Sequence, residues 1–176
     1  MDTDVLHMYK DLISRTFNIR SRVVPIPGTR AWLLEANSLY LCRWLRENIV
    51  LNKKEFLGRL GQLPKDEIAA FLKGLFDAEG CVNLNSHQIS LCMTDRYLLR
   101  VAQLLLLKFD IAASFYMPKK VKREWSQPYA ILINNHRSFE KFIESINFTS
   151  EIKRERLHCL TSVNRKNGKC TVMSDE

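Results

Sequence analysis

The sequence predicts an α+β fold in which antiparallel hairpins are joined by amphipathic helices. Three observations carry that reading. Apolar spacing switches between the helical period and strand alternation between residues 5 and 160 of the 176. The helix–strand–strand–helix pattern of residues 5–47 recurs over 98–146. Between the copies, residues 64–94 supply a further helix and hairpin with no counterpart in the first copy. The chain therefore reads as a two-repeat protein whose first repeat lacks its opening helix and first hairpin.

In chain order, Val5, Leu6, Tyr9, Leu12, Ile13 and Phe17 mark a helix over 5–17, with Asp4 as its cap. Residues 20–24 and 31–35 read as strands around the turn Pro25-Ile-Pro-Gly28, and 38–47 as a helix. After Pro64, a helix through Ile68, Phe71, Leu72, Leu75 and Phe76 ends at Gly80. Strands follow at 81–85 and 88–93, then a helix at 98–109. Residues 114–117 and 129–134 are strands separated by a basic connection, and Asn134-Asn135-His136 reads as a strand-end turn. Helices at 138–146 and 149–160 close the pattern. The repeats align at an offset of 92 through Phe17-Asn-Ile and Phe109-Asp-Ile. They align at 98 through Trp32-Leu-Leu and Ala130-Ile-Leu, which places six extra residues in the second hairpin loop. The expected domains are a truncated repeat at 1–63, a complete one at 64–160 and a mobile polar tail at 161–176.

Composition narrows the function. Twenty-seven Lys and Arg against 19 Asp and Glu leave a net charge of +8, which favours a nucleic-acid partner over a membrane. The longest apolar run, 101–107, falls far short of the ~20 residues that a membrane span needs. The acidic start MDTDVLHMYK lacks a signal pattern. Five scattered cysteines without a Cys-x-x-Cys pair read as small buried residues or idle thiols. A protein of the cytoplasm or another reducing compartment, organelles included, is expected.

The stretch that carries chemistry is Phe71-Leu-Lys-Gly-Leu-Phe-Asp-Ala-Glu-Gly80. Gly74 and Ala78, four apart, share a face on which a second backbone can come close. Asp77 and Glu79 stand at the carboxyl end, where free carbonyls already make the potential negative, so a divalent cation is the expected compensation. Gly80 is expected to end the helix in a left-handed turn. Two such helices face to face would bring two carboxylates together as a cage for Mg²⁺. An ordinary buried helix with a glycine cap and surface acids accounts for the same residues.

This decapeptide resembles the LAGLIDADG motif of homing endonucleases. Leu72-Lys-Gly-Leu-Phe-Asp-Ala-Glu-Gly80 fills every position, with Lys73 for alanine, Phe76 for isoleucine and Glu79 for aspartate. With the flanking order of elements the resemblance covers 64–160, and the repeat carries it back over 5–47. It implies an αββαββα saddle of antiparallel strands, helices on one face, lying in the DNA major groove. The motif helices would form the central interface through Phe71, Leu72, Gly74, Leu75, Asp77, Ala78 and Gly80. Glu79 would be catalytic and would hold Mg²⁺ or Mn²⁺ with the Ala78 carbonyl, while Asp77 would cap or pack. Hydrolysis would leave 5′-phosphate and 3′-hydroxyl ends.

On this resemblance, the double-stranded DNA target would meet Arg20, Arg22 and Arg30 of the first hairpin and Asn83, Asn85 and Gln88 of the middle one. It would also meet Lys119, Lys120, Lys122 and Arg123 of the long loop, and Arg137 after the last strand. Arg137 and Gln88 are the candidates near the scissile phosphate. Cutting two strands takes two motif helices and this chain has one, so a homodimer or a complementary motif-bearing fragment is expected. Intron or intein mobility is the implied context. The alternative is a non-cleaving module on the same scaffold: an intron RNA maturase, a DNA-binding regulator or an inactive remnant.

Overall fold

The computed structural model describes residues 3–117 and 127–162, and they divide into two compact units, Met1–Leu60 and Gly61–Glu176. The division falls at 60/61, three residues before the boundary expected at 63/64.

The first unit contains α1 (Thr3–Phe17), β1 (Ser21–Pro25), β2 (Trp32–Ala36), α2 (Leu39–Leu45) and α3 (Lys53–Leu60). A π-helical turn over Arg46–Val50 continues α2. The hairpin is antiparallel with Val23 opposite Leu34, and its loop turns at Gly28, whose φ of +74° favours glycine. The Ser21 hydroxyl donates to the Lys10 carbonyl at 3.4 Å, which fixes the β1 face carrying Ser21 and Val23 toward α1. Ser38 caps α2, its hydroxyl accepting the Leu41 N–H at 3.2 Å. Among the described residues of this unit Leu41, Leu57 and Leu60 are the buried apolar ones, whereas Leu39 and Tyr40 are 91% and 75% exposed.

The second unit holds α4 (Lys65–Glu79), β3 (Gly80–Asn83), β4 (Gln88–Met93), α5 (Arg96–Leu107), β5 (Ser114–Tyr116), β6 (Tyr129–Ile133), α6 (His136–Ser145) and α7 (Glu151–Ser162). Its strands form one antiparallel sheet in the order β3-β4-β6-β5. Val82, Ile89, Leu91, Ile131 and Ile133 alternate onto the buried face, beneath Ile68, Leu72 and Phe76 of α4 and Leu99 and Leu106 of α5. Asp95 caps α5 through the Leu98 N–H at 2.9 Å, and Asn135 caps α6 through the Ser138 N–H at 2.8 Å. The strand-end turn expected at 134–136 is thus a helix cap. Ser138, buried, uses its hydroxyl to accept the Ala112 N–H at 3.1 Å.

The duplication has a backbone signature. Asn18 and Asp110, 92 positions apart, close α1 and α5 with φ of 52° and 57°. The helix caps Ser38 and Asn135 lie 97 apart. The inward pair Val23–Leu34 matches Phe115–Ile131, which again sets β2 against β6 at 97. The second hairpin is therefore longer by five residues, not six. At an offset of 98, Leu34 would correspond to the outward Leu132, because a one-residue slip turns every side chain to the other face.

Of the two readings of the cysteines, small buried residues or idle thiols, Cys42, Cys81 and Cys92 are exposed free thiols and so not buried ones. The span 53–60, to which the sequence pattern assigns no element, is the helix α3. The 161–176 tail is expected to be mobile; its residues 163–176 lie outside the described part, and Thr161 and Ser162 belong to α7. No helix among the described residues is long and apolar enough to cross a membrane.

Candidate metal and nucleic-acid site

The site is organised by α4. Pro64 precedes its first turn, where Asp66 and Glu67 complement the positive end of the helix. Ile68, Leu72 and Phe76 recur every four residues and are fully buried, so they form the core-facing stripe. The Phe76 ring meets Phe142 edge-on at 4.9 Å and Phe148 at 6.3 Å. The other face carries the expected interface residues: Phe71, Gly74 and Leu75 are half-buried and Ala78 is exposed.

The two acids of the motif are treated differently. Asp77 is 9% exposed, and its carboxylate accepts the Thr149 N–H at 2.8 Å, tying α4 to the chain before α7. Glu79 is exposed at the last helical position. Between them, the cation at the helix end is a lysine. Lys153 of α7 donates from Nζ to the Asp77 carbonyl at 2.7 Å and the Phe76 carbonyl at 3.2 Å. Charge compensation there, expected from a divalent ion, thus comes in part from an ammonium that sequence reading missed. The signal available was only a lysine in a charged helix 76 residues downstream.

Gly80 does not turn left-handed. Its φ and ψ of −81° and 148° are extended, and it is the first residue of β3. Glycine is needed for space: a Cβ there would lie 2.4 Å from the Phe76 carbonyl oxygen. The chain thus passes from helix to strand in one residue, and Glu79 stands where the two elements meet.

Electrostatics mark the same corner. Partial desolvation against the sheet raises the exposed Cys92 thiol above its ordinary range; a hydrogen bond with Ser90 opposes the shift, and the charges of Cys81 and Glu79 add to it. Among the described residues no group of three or more His, Cys, Asp or Glu side chains could hold a metal ion. The donors at hand are the Glu79 carboxylate and the Ala78 carbonyl. This hard oxygen set suits Mg²⁺ or Mn²⁺, which keep several waters and bind through one or two carboxylates plus substrate phosphates.

The outer sheet face runs beside this corner. Cys81 and Asn83 of β3 pair with Ser90 and Gln88 of β4, and Ser90 pairs in turn with Leu132. Gln88, Ser90, Cys92, Tyr116, Ala130 and Leu132 border a depression of about 370 Å³ on this face. Among the described residues no strand of this sheet carries a Lys, Arg, Asp or Glu. Asn83 and Asn85 are exposed and Gln88 half-buried, with the Asn83 side-chain oxygen accepting the Ser86 N–H at 3.0 Å within the turn. Arg137 is exposed in the first turn of α6. In the first unit Arg20, Arg22 and Arg30 are exposed, and Arg22 pairs with Glu35 at 2.6 Å. Lys119, Lys120, Lys122 and Arg123 lie outside the described residues.

Residues 66–147 match the model of the LAGLIDADG-like domain. The chain is 36% identical over 165 residues to a glutamine–fructose-6-phosphate aminotransferase of Methanocaldococcus jannaschii, covering 89% of itself and 15% of that protein. It is 33% identical over 113 residues to a probable translation initiation factor of the same organism, covering 64% of itself and 10% of the relative. With elongation factor 2 of Methanopyrus kandleri it shares 34% over 128 residues, 73% of itself and 9% of the relative. The chain thus spans a small part of each. Among solved structures, the homing endonuclease I-DmoI in complex with DNA and Mn superposes with a TM-score of 0.58 at 21% identity, over 82% of this chain and 73% of that one. A mesophilic variant of I-DmoI gives 0.59 at 19%, over 82% and 72%. The fold is that of the I-DmoI homing endonuclease.

Proposed function

We propose, from the premise that this chain carries a LAGLIDADG-like domain at residues 66–147, that it is the endonuclease part of a mobile element and hydrolyses double-stranded DNA at a specific site. The observation that carries the reading is the split of the two motif acids: Asp77 is buried in structural bonds while Glu79 is exposed at the helix–strand junction. Glu79 and the Ala78 carbonyl would hold Mg²⁺ or Mn²⁺, which supplies Lewis-acid stabilisation of the charge developing on the phosphate. Structures of I-DmoI with Mn, Mg or Ca support a divalent ion in this role.

The chain's own residues divide the rest of the work. Asn83, Asn85 and Gln88 offer amides to base edges, where amides suit adenine. Arg20, Arg22, Arg30, Lys119, Lys120, Lys122, Arg123 and Arg137 serve phosphates, with Arg137 and Gln88 nearest the scissile one. Phe71, Gly74, Leu75 and Ala78 build the seam to a second motif helix, from a second copy or a complementary fragment, whereas Leu72, Asp77 and Gly80, expected in that seam, are buried within their own unit.

The matched relatives support mobility. An aminotransferase is unlike an initiation factor or an elongation factor, yet each matches this chain over 15% or less of its own length. A segment common to such hosts is a module in its own right, as an intron- or intein-borne endonuclease would be. Because the described residues hold no three-ligand group, a second reading keeps the scaffold and drops the cutting: a binding module such as an intron RNA maturase or a DNA-binding regulator.

One experiment separates the two. The protein is incubated with Mg²⁺ and a library of genomic double-stranded DNA, beside the Glu79→Ala variant. Double-strand breaks that need metal and vanish in Glu79→Ala, with binding in EDTA retained, are the expected outcome. Binding in EDTA without breaks in either protein supports the module, and breaks that persist in Glu79→Ala remove Glu79 from catalysis.

A further inference from the structure

The geometry points to Lys153 as a positioning residue that sets the carboxyl end of α4 and, through it, Glu79; this rests on the reading of Glu79 as the metal-binding carboxylate. The last four carbonyls of an α-helix find no partner inside the helix. In α4 the Gly80 N–H reaches the Phe76 carbonyl as the final helical bond. The Lys153 ammonium takes the Phe76 and Asp77 carbonyls together, at 3.2 and 2.7 Å.

The lysine is itself held. It is half-buried, its Nζ lies 5.5 Å from the centre of the Phe148 ring, and its backbone N–H donates to the Ser150 hydroxyl at 3.2 Å. Next to it the Thr149 N–H binds the Asp77 carboxylate at 2.8 Å. Residues 148–153 thus grip the last turn of α4 by carbonyl, carboxylate and ring, and all of them lie beyond the matched domain, which ends at 147.

Three consequences follow from charge and geometry. The ammonium offsets the negative end of the helix dipole where two carboxylates crowd it. It occupies the Phe76 and Asp77 carbonyls, so neither is a ready donor to a divalent cation held by the Glu79 carboxylate. It also stops the last turn from fraying, which gives the Glu79 backbone a single direction at the junction with β3.

The test uses the full chain with Lys153→Met, which keeps the apolar stem, and Lys153→Arg, which keeps the charge. Amide hydrogen exchange is read at Ala78, Glu79 and Gly80, with α5 as the internal reference. Loss of charge-assisted hydrogen bonds predicts about tenfold faster exchange at those three amides in Lys153→Met, and no change in α5. The cleavage rate constant at saturating Mg²⁺ falls by about tenfold as well, DNA affinity in EDTA stays put, and Lys153→Arg restores both rates. Lys153→Gln, which removes the charge and retains a neutral donor, replaces Lys153→Met should the latter fail to fold, with changes of the same direction and smaller size. Unchanged exchange at the three amides overturns the proposal whether or not the protein cuts DNA. Faster exchange with an unchanged cleavage rate also overturns it, leaving Lys153 a purely structural residue. A wild-type protein that binds DNA without cutting removes the endonuclease reading instead, and the exchange measurement then still decides whether the grip exists.

Discussion

At Gly80 the constraint is backbone against backbone. A Cβ would sit 2.4 Å from the Phe76 carbonyl oxygen and 3.0 Å from the Phe76 carbonyl carbon, neither of which is a movable side-chain tip. The same carbonyl already accepts the Gly80 N–H and the Lys153 ammonium. Gly80→Ala must therefore open the helix–strand junction, at a cost of about 1–3 kcal/mol typical of overpacking. A lower urea midpoint with an unchanged m-value would show it. An unchanged midpoint would mean that the junction relaxes freely, which would also weaken any claim that Glu79 is held in one place. Asp77, three residues earlier, illustrates the opposite case. Its position in the motif suggests a capping or packing role, and the Thr149 N–H at 2.8 Å is a bond of that kind, but its partner lies 72 residues away and cannot be named from the motif.

The elements that were legible are those whose signal is local. α1, α4, α5 and the four strands of the second unit carry clear periods, and their bounds fall within a few residues of those expected. α3 was not legible, because KKEFLGRL is short, charged and broken by Gly58, and only Leu57 and Leu60 are buried. The π turn of Arg46–Val50 has no composition cue at all. The hairpin offset differs by one from the expected value because apolar matches at β2 tolerate a slip that strand pairing does not. The caps give this correspondence a test at its own scale. Ser38→Ala and Asn135→Ala each remove the side chain that accepts the third amide of the helix after the hairpin, Leu41 in one and Ser138 in the other, at a cost of about 1 kcal/mol. Site-resolved hydrogen exchange is expected to rise in Leu39–Leu45 for the first variant and in His136–Ser145 for the second, each without the other. A Ser38→Ala variant that leaves its own helix unaffected would break the equivalence at an offset of 97.

Over the whole molecule, charge and neutral polar groups are segregated. The net charge is +8, yet the strands of the four-stranded sheet carry no ionised side chain among the described residues. On the proposed function, electrostatic attraction to DNA would come from the first hairpin, where Arg22 lies on β1, and from residues outside the four-stranded sheet, whose neutral face offers amides, hydroxyls, thiols and apolar atoms. Phosphate contacts release counterions and base contacts do not, so the two sets separate in a salt titration. Replacing Lys119, Lys120, Lys122 and Arg123 with alanine is expected to reduce the slope of log affinity against log salt by about 3–4, near 0.9 for each phosphate no longer neutralised. Asn83→Ala and Gln88→Ala are expected to leave the slope unchanged and to relax discrimination at individual base pairs by about 1–3 kcal/mol. Competition binding against single-substituted targets across a range of KCl measures both quantities in one series. If the quadruple variant keeps the wild-type slope, Lys119, Lys120, Lys122 and Arg123 do not reach the phosphates. If Asn83→Ala and Gln88→Ala change the slope and not the preference, the neutral face is not the reading surface, and the division of labour between sheet and loops fails with it.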